Sequence, residues 1–577
     1  MVKIFAITTT LDPISLAYEY QALSYVLASI LSLAQLVSLQ SQQHKLRHVL
    51  WLFVLLPIIP YLGNRWVISS NESSLPTWDS DHPHPVEVLI EEAQAQFQAM
   101  RQRQSRTYHA AYDEYRRRYG ILPPDGFHLW FEYASAKDSP IIDDFDSILD
   151  SVSPFLQLSG AQVTRMMNQI HREPKSELWQ CGFASRKVEA TCRHYRRKIG
   201  KDRDFGVMFN KLLGDVGEQL KHIRVLVNHL DEPRVLYQPD EKPDTSFNLR
   251  DVRKRSSWDE FVSSCPDSVE DWNAKNPQVD LYELPFVANR SAVMDLCQHK
   301  EYRDMHGLLI NPKNLRLIEG YVPVLGTGAF STMGDILIPS PAYIQSEFDY
   351  NSKGDVPWDQ KWNNLYWDGS TTGGFAKKRD DWVRFHRQRF VSFVDRLDTR
   401  AYSYLQNVGG RIMRTTSNFL NGRLYDVAFT YIFQCTTLAC REERQFFRTR
   451  SWRRADTALH SRLVFDLDGN GISGRFYRLL ASRSLPLKQT LLHEWHDERL
   501  VPWVHFVPIS QSMEELPEVV RWLTSTEKGR MKAKEMADAG RKWYREALRD
   551  VDKGIYLYRL MLELGRVQDP ERKAGES

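Results

Sequence analysis

The chain has 577 residues, 42% hydrophobic and 26% charged, which excludes both a disordered polymer and a single small domain. Lys+Arg 76 against Asp+Glu 73 leaves a formal charge of +3, so the balance gives no sign of nucleic-acid binding, which calls for a strongly basic face. The 16 Trp, 25 Tyr and 27 Phe can stack on sugar rings, but filling cores is the commoner use of such residues.

Two uncharged stretches open the chain, residues 22–39 (ALSYVLASILSLAQLVSL) and 49–63 (VLWLFVLLPIIPYLG). Spanning a bilayer takes about 20 apolar residues, so they predict a two-legged hairpin or, from the second alone, a single anchor. Lys45 and Arg47 between them belong in the cytosol by the positive-inside rule, which sends everything after residue 66 into the lumen. No small-residue cleavage site follows, so a removed signal peptide fits less well. Glycosylation sequons at Asn71-Glu-Ser73 and Asn289-Arg-Ser291 agree with that side.

Residues 67–85 read as a flexible stem. Pro85 then opens a helical run from Val86 to about Tyr119, roughly 50 Å if continuous, which Gly120, Pro123, Pro124 and Gly126 end. In the first lobe, Met208, Leu212, Val216 and Leu220 mark a helix stripe. A strand over His222–Asn228 follows, with Asp231 beyond its carboxyl end, where open α/β sheets place ligands; a turn role before Pro233 is the alternative. Residues 240–275 read as loop and 341–361 as the hinge between lobes.

In the second lobe Ser461–Leu467 is a strand, Asp468-Gly-Asn-Gly-Ile-Ser-Gly474 a glycine-rich loop, and Arg475–Leu480 the start of a helix. Leu485–Lys488 and Trp503–Val507 are further strands, and the chain is helical from 511 onward. A glycine loop feeding a helix N-terminus suits a phosphate, and Arg475 adds a cationic fork matched to a diphosphate. A tight turn with no ligand is the competing reading. The expected organisation is 1–66 membrane anchor, 67–120 stem and long helix, 121–345 first lobe, 346–566 second lobe with closing helices, and 567–577 disordered tail.

Six cysteines include no CxxC pair, which argues against a zinc ribbon or thioredoxin motif. Cys435 and Cys440 can close a small loop in an oxidising lumen; six buried thiols are the alternative. Asp466-x-Asp468-x-Asn470-Gly471 begins like a calcium loop, but its twelfth position is Tyr477 rather than Glu. His493-Glu-Trp-His496 is one residue short of a zinc helix. Gly326-Thr-Gly328 lacks the third glycine of a dinucleotide loop. Glu494, Asp497 and Glu498 resemble a hydrolase carboxylate pair but read as a solvated patch. The residues alone lead to a two-lobed α/β nucleotide-binding protein.

Longer blocks carry a resemblance. Leu365-Tyr-Trp-Asp-Gly-Ser-Thr-Thr-Gly-Gly374, Asp466-Leu-Asp-Gly-Asn-Gly-Ile-Ser-Gly-Arg-Phe-Tyr-Arg478, Trp503-Val-His-Phe-Val-Pro508, Pro123-Pro-Asp-Gly-Phe127 and Ile141-Ile-Asp-Asp-Phe-Asp146 resemble fungal members of glycosyltransferase family 90. That family holds capsule-associated xylosyltransferases and protein O-glucosyltransferases. The resemblance runs from about residue 86 to 560.

It implies an α/β chain of GT-B type, with two Rossmann-like lobes facing across a cleft. It also implies inverting transfer of a sugar, xylose first and glucose next, from a UDP-sugar to a glycan or glycoprotein acceptor. The setting would be the Golgi or endoplasmic reticulum membrane, with capsule or cell-wall polysaccharide as one product class and no cofactor or metal. Asn228-His-Leu-Asp231-Glu-Pro233 matches the family's Asn-x-x-Asp-x-Pro stretch, making Asp231 the implied base. Gly369, Ser370, Thr371 and Thr372 match the donor-side turn, and Gly471, Ser473, Gly474 and Arg475 the phosphate loop. Asp143 and Asp144 are the next acceptor-side candidates. Where family members carry Arg directly before that Gly-Ser, this chain has Asp368. A sugar-binding or scaffolding relative without activity is the alternative function, and retention of Asp231 and Arg475 favours the enzyme.

Overall fold

The structure is a computed structural model; it describes residues 19–38, 51–56, 58–59, 62, 83–183, 190–195, 204–220, 223–237, 243–266, 283–395, 402–408, 411–417 and 424–576. No helix among them is long and apolar enough to cross a membrane. The helix Glu19–Ser38 has the length, about 30 Å, but carries Glu19, Gln21, Gln35 and four serines. Trp51–Leu55 is one short 3-10 segment. The expected anchor therefore finds no span here. Lys45, Arg47, Asn71 and the expected stem up to residue 82 lie outside the described residues.

The expected long rod is two helices, Pro85–Gln102 and Tyr108–Tyr119. Pro85 stands in the first turn, His84 caps Val86, and Thr107 caps the second helix. Asp143 and Asp144 brace the break between them. Asp143 accepts from the Ser105 amide, and Asp144 takes Arg103, Gln104 and Arg118. The first helix is packed on the protein: Val86, Leu89, Ile90, Phe97 and Met100 are buried, with the Phe97 ring edge-on to His505 and Trp543.

Strands β1 (Leu178–Phe183), β2 (Ala190–His194) and β3 (Arg224–Asn228) come first. The short β4 (Val235–Leu236), β5 (Asn248–Asp251) and β6 (Arg316–Glu319) follow, then β7 (Val324–Gly326) and β8 (Ile336–Leu337). One five-stranded sheet runs β2-β1-β3-β7-β8. It is mixed: β1 is antiparallel to β2 and β3, while β3, β7 and β8 run parallel. The strands β4, β6 and β5 form a small sheet beside it. Met208, Leu212, Val216 and Leu220 are buried as the stripe predicts, although the helix tightens to 3-10 after Leu213.

The second half contains β9 (Trp362–Ser370), the hairpin β10 (Tyr402–Val408) and β11 (Arg411–Ser417), then β12 (Tyr425–Tyr431), β13 (Ser461–Leu467), β14 (Leu485–Gln489) and β15 (Val507–Pro508). The second sheet runs β12-β9-β13-β14-β15 and is parallel throughout. Strands β13 and β14 are almost wholly buried and β9 is buried over residues 364–367, as expected of a sheet covered on both faces. The strand expected over 503–507 shrinks to Val507–Pro508, because Trp503 takes a left-handed φ of 64° and donates its indole N–H to Val287 O.

Helices Leu516–Ser525, Glu527–Ala547 and Asp550–Gln568 close the chain. The last packs against Phe127–Ala136, Asp146–Val152, Gly160–Arg172 and Phe205–Leu213 on the first-sheet side. The expected disordered tail is instead docked: Arg572 donates to the carbonyls of Phe155, Leu156, Leu158 and Val567. All six cysteines pair, as Cys181–Cys192, Cys265–Cys297 and Cys435–Cys440.

Candidate active site

In each sheet the parallel strands end on one edge, and loops from the two edges meet. Asn228 ends β3, and its side chain shapes the turn after it, accepting from the Leu230 amide and donating to Glu232 O. Asp231 stands in that turn. Across from it lies the glycine loop after β13. A Cβ on Gly471 would collide with the Asp231 carbonyl, so the two backbones approach as only glycine permits. Further along, Ile472 lies over Gly328, after β7, and Ala329 exchanges two backbone hydrogen bonds with His493. The discarded Gly326-Thr-Gly328 thus serves as a close-contact loop.

The turn at Gly369–Thr372, expected on the donor side, and the two glycines after it are pinned from three directions. Thr371 donates its amide to Tyr431 O and its hydroxyl to Phe433 O. Gly373 donates to Asn470 Oδ1 at 3.2 Å, tying turn to glycine loop. Phe375 donates to Asn311 O at 2.7 Å, tying the turn to the first-sheet side. Arg475 reaches back under this turn, with Nη1 2.7 Å from Asp368 O. The Asp368 carboxylate takes the Tyr366 hydroxyl.

The acidic groups around the glycine loop face inward. Asp466 accepts from Ser473 Oγ and from Lys488 Nζ. Asp468 accepts from Thr490 Oγ1 and the Leu491 amide. No group of three or more His, Cys, Asp or Glu arranged to hold a metal occurs among the described residues. Glu494, expected in a solvated patch, is buried with Lys488 3.3 Å away and the Tyr343 hydroxyl on its other oxygen. Burial drives the Glu494 carboxyl up to about 7 despite that lysine. Burial also works against the Lys488 ammonium, but Asp466 and Glu494 outweigh it and hold the group above its ordinary value. Asp497 is held by Arg290 and His493, and Glu498 accepts from Ser147. These three carboxylates serve as internal braces.

Asp231, Gly369–Thr372 and Gly471–Arg475 are thus brought together. Asp143 and Asp144 are not: their partners are the residues of the 103–118 segment named above. Asn289 caps a short helix, accepting from the Ala292 amide. Two residues at the site escape sequence reading. Glu232 is 1% exposed, accepts from the Asn314 amide, and burial pushes its carboxyl up to about 7. Arg387 lies beneath the turn at residues 369–374 on the helix His386–Asp395, and its one signal was a pair of arginines inside an otherwise core-facing helix.

Residues 348–574 match the family model described as "Glycosyl transferase family 90". The matched stretch holds β9 to β15, the turn at residues 369–374, the glycine loop and the closing helices. It supports a glycosyltransferase, with a sugar donor and an acceptor.

Proposed function

We propose, from the family 90 match over residues 348–574, that the protein is an inverting glycosyltransferase of GT-B type using a UDP-sugar. Xylose is the first donor to try and glucose the second, with a glycan or glycoprotein as acceptor. The observation that carries this reading is the approach of Asp231 to Gly471. It sets one carboxylate-bearing turn, from the first sheet, against the glycine loop of the second, which this reading assigns to the donor phosphates.

Inverting displacement needs one base to take the acceptor hydroxyl proton as oxygen attacks the anomeric carbon. Asp231 fills that role, and UDP leaves toward the glycine loop. There, the Arg475 guanidinium offsets the developing charge. Hydrolysis through two carboxylates has less support, since Glu494, Asp497 and Glu498 are committed to partners within the protein, Tyr343, Arg290 and Ser147. The three disulfides favour an oxidising, lumenal setting.

The test is a panel of UDP-sugars offered to the purified protein, with UDP release measured with and without candidate glycans. One donor is expected to release UDP well above the others. A panel in which no nucleotide sugar binds or turns over overturns the reading and leaves the sugar-binding or scaffolding relative.

A further inference from the structure

The Arg387 side chain is buried, at 5% exposure, and its hydrogen bonds go to the turn at residues 370–372 and to the end of β13 where the glycine loop begins. Nε donates to Asp468 O at 2.7 Å and Nη2 to Leu467 O at 3.1 Å. Nη1 donates to Ser370 O at 3.0 Å and to Thr372 Oγ1 at 2.6 Å. These acceptors are three carbonyls and a hydroxyl, so four of its five N–H groups are used and none meets a carboxylate. Burying a cation is costly unless an anion pairs with it directly: burial, with the Arg475 charge adding to it, outweighs the pull of the nearby Asp466 and Asp468 carboxylates and brings Arg387 down to about 9.

Two details aim this charge at the donor. A Cβ on Gly469 would sit 3.5 Å from Arg387 Nη2, and one on Gly369 would sit 3.2 Å from Arg475 Nη2. Both guanidinium carbons approach the same ring, Trp367, at 5.8 and 6.0 Å from its centroid. At 369 the backbone passes Arg475 more closely than a side chain would readily allow, while at 469 the separation from Arg387 is an ordinary contact.

We propose that Arg387 is a positioning residue for the donor diphosphate: it locks the donor turn to the glycine loop and supplies a buried positive charge that the diphosphate completes. This rests on the UDP-sugar reading above. Lysine at 387 would keep the charge but not the fork that grips both segments at once.

The test is UDP binding by calorimetry, with melting temperature on the same preparations, for wild type, Arg387→Lys, Arg387→Gln, Thr372→Val and Arg389→Gln. Arg389 serves as the control, because its guanidinium donates to Met305 O, Gln511 O and Ser512 O. Arg387→Lys is expected to weaken UDP binding about tenfold and Arg387→Gln about a hundredfold, the scale of losing charge-assisted bonds. Thr372→Val, which removes one acceptor and leaves the cation, is expected to weaken it severalfold. Arg389→Gln is expected to melt earlier with unchanged UDP affinity. If Arg387→Lys and Thr372→Val melt earlier yet bind UDP as the wild type does, Arg387 is a fold residue only and the proposal is wrong. If the wild type binds no UDP, the donor reading itself fails and takes this proposal with it.

Discussion

One residue past Asp231, Glu232 carries its carboxyl into the protein, where burial raises it from the ordinary 4.5 to about 7. Between those pH values the folded chain keeps a proton that the unfolded chain has released. Stability from this group is therefore present below about 4.5 and lost as pH rises through 7. Glu232→Gln keeps the shape and cannot ionise, so it should melt above the wild type at pH 8, by on the order of 2–3 kcal/mol, with the gap closing at pH 5. Thermal scans at both pH values check it, and an equal gap at both would contradict it. Residues of this kind mark the limit of what the chain discloses unaided. Asp231 stands at a strand end and Arg475 at the end of a glycine loop, both local patterns, and the resemblance adds the Asn-x-x-Asp-x-Pro match for Asp231. Glu232 and Arg387 owe their character to burial, which depends on residues such as Asn314 and Leu467, 82 and 80 positions away.

Among elements, the best-anticipated unit is Ser461–Leu467 with its loop and following helix, because strand, glycine run and helix follow directly in sequence. The helical run after Pro85 is right in kind and wrong in continuity. Its break at residues 103–107 is stabilised by Asp143 and Asp144, some 40 residues on. The C-terminal segment fails for the same reason. Its composition reads as disordered, yet Arg572 finds carbonyls at Phe155, Leu156 and Leu158. Arg572→Ala should lower stability by about 2–4 kcal/mol, the scale of losing several buried hydrogen bonds to a charged group. A urea midpoint indistinguishable from wild type would show the segment to be undocked in solution.

At the scale of the molecule, fold class and two-sheet organisation follow from periodicity and motif order. The meeting of the two sheet edges does not, since it depends on Gly471 against Asp231, Gly328 against Ile472 and Ala329 against His493. The same view bears on metals. Asp466 and Asp468 resemble a divalent-ion motif, but their carboxylates take internal donors from Ser473, Lys488, Thr490 and Leu491. Transfer should therefore persist in EDTA; loss restored by manganese would make these aspartates ligands.

The central claim is that Asp231 is the base, and Asp231→Asn tests it most directly, because the amide keeps the size and removes the basicity. UDP affinity, transfer rate and melting temperature are measured on one preparation, with the donor that the panel identifies. UDP affinity and melting temperature should stay near wild type while transfer falls by at least ~10²–10⁴-fold, the range for a lost general base. A variant that melts early yet turns over normally would make Asp231 a turn residue and place the base elsewhere.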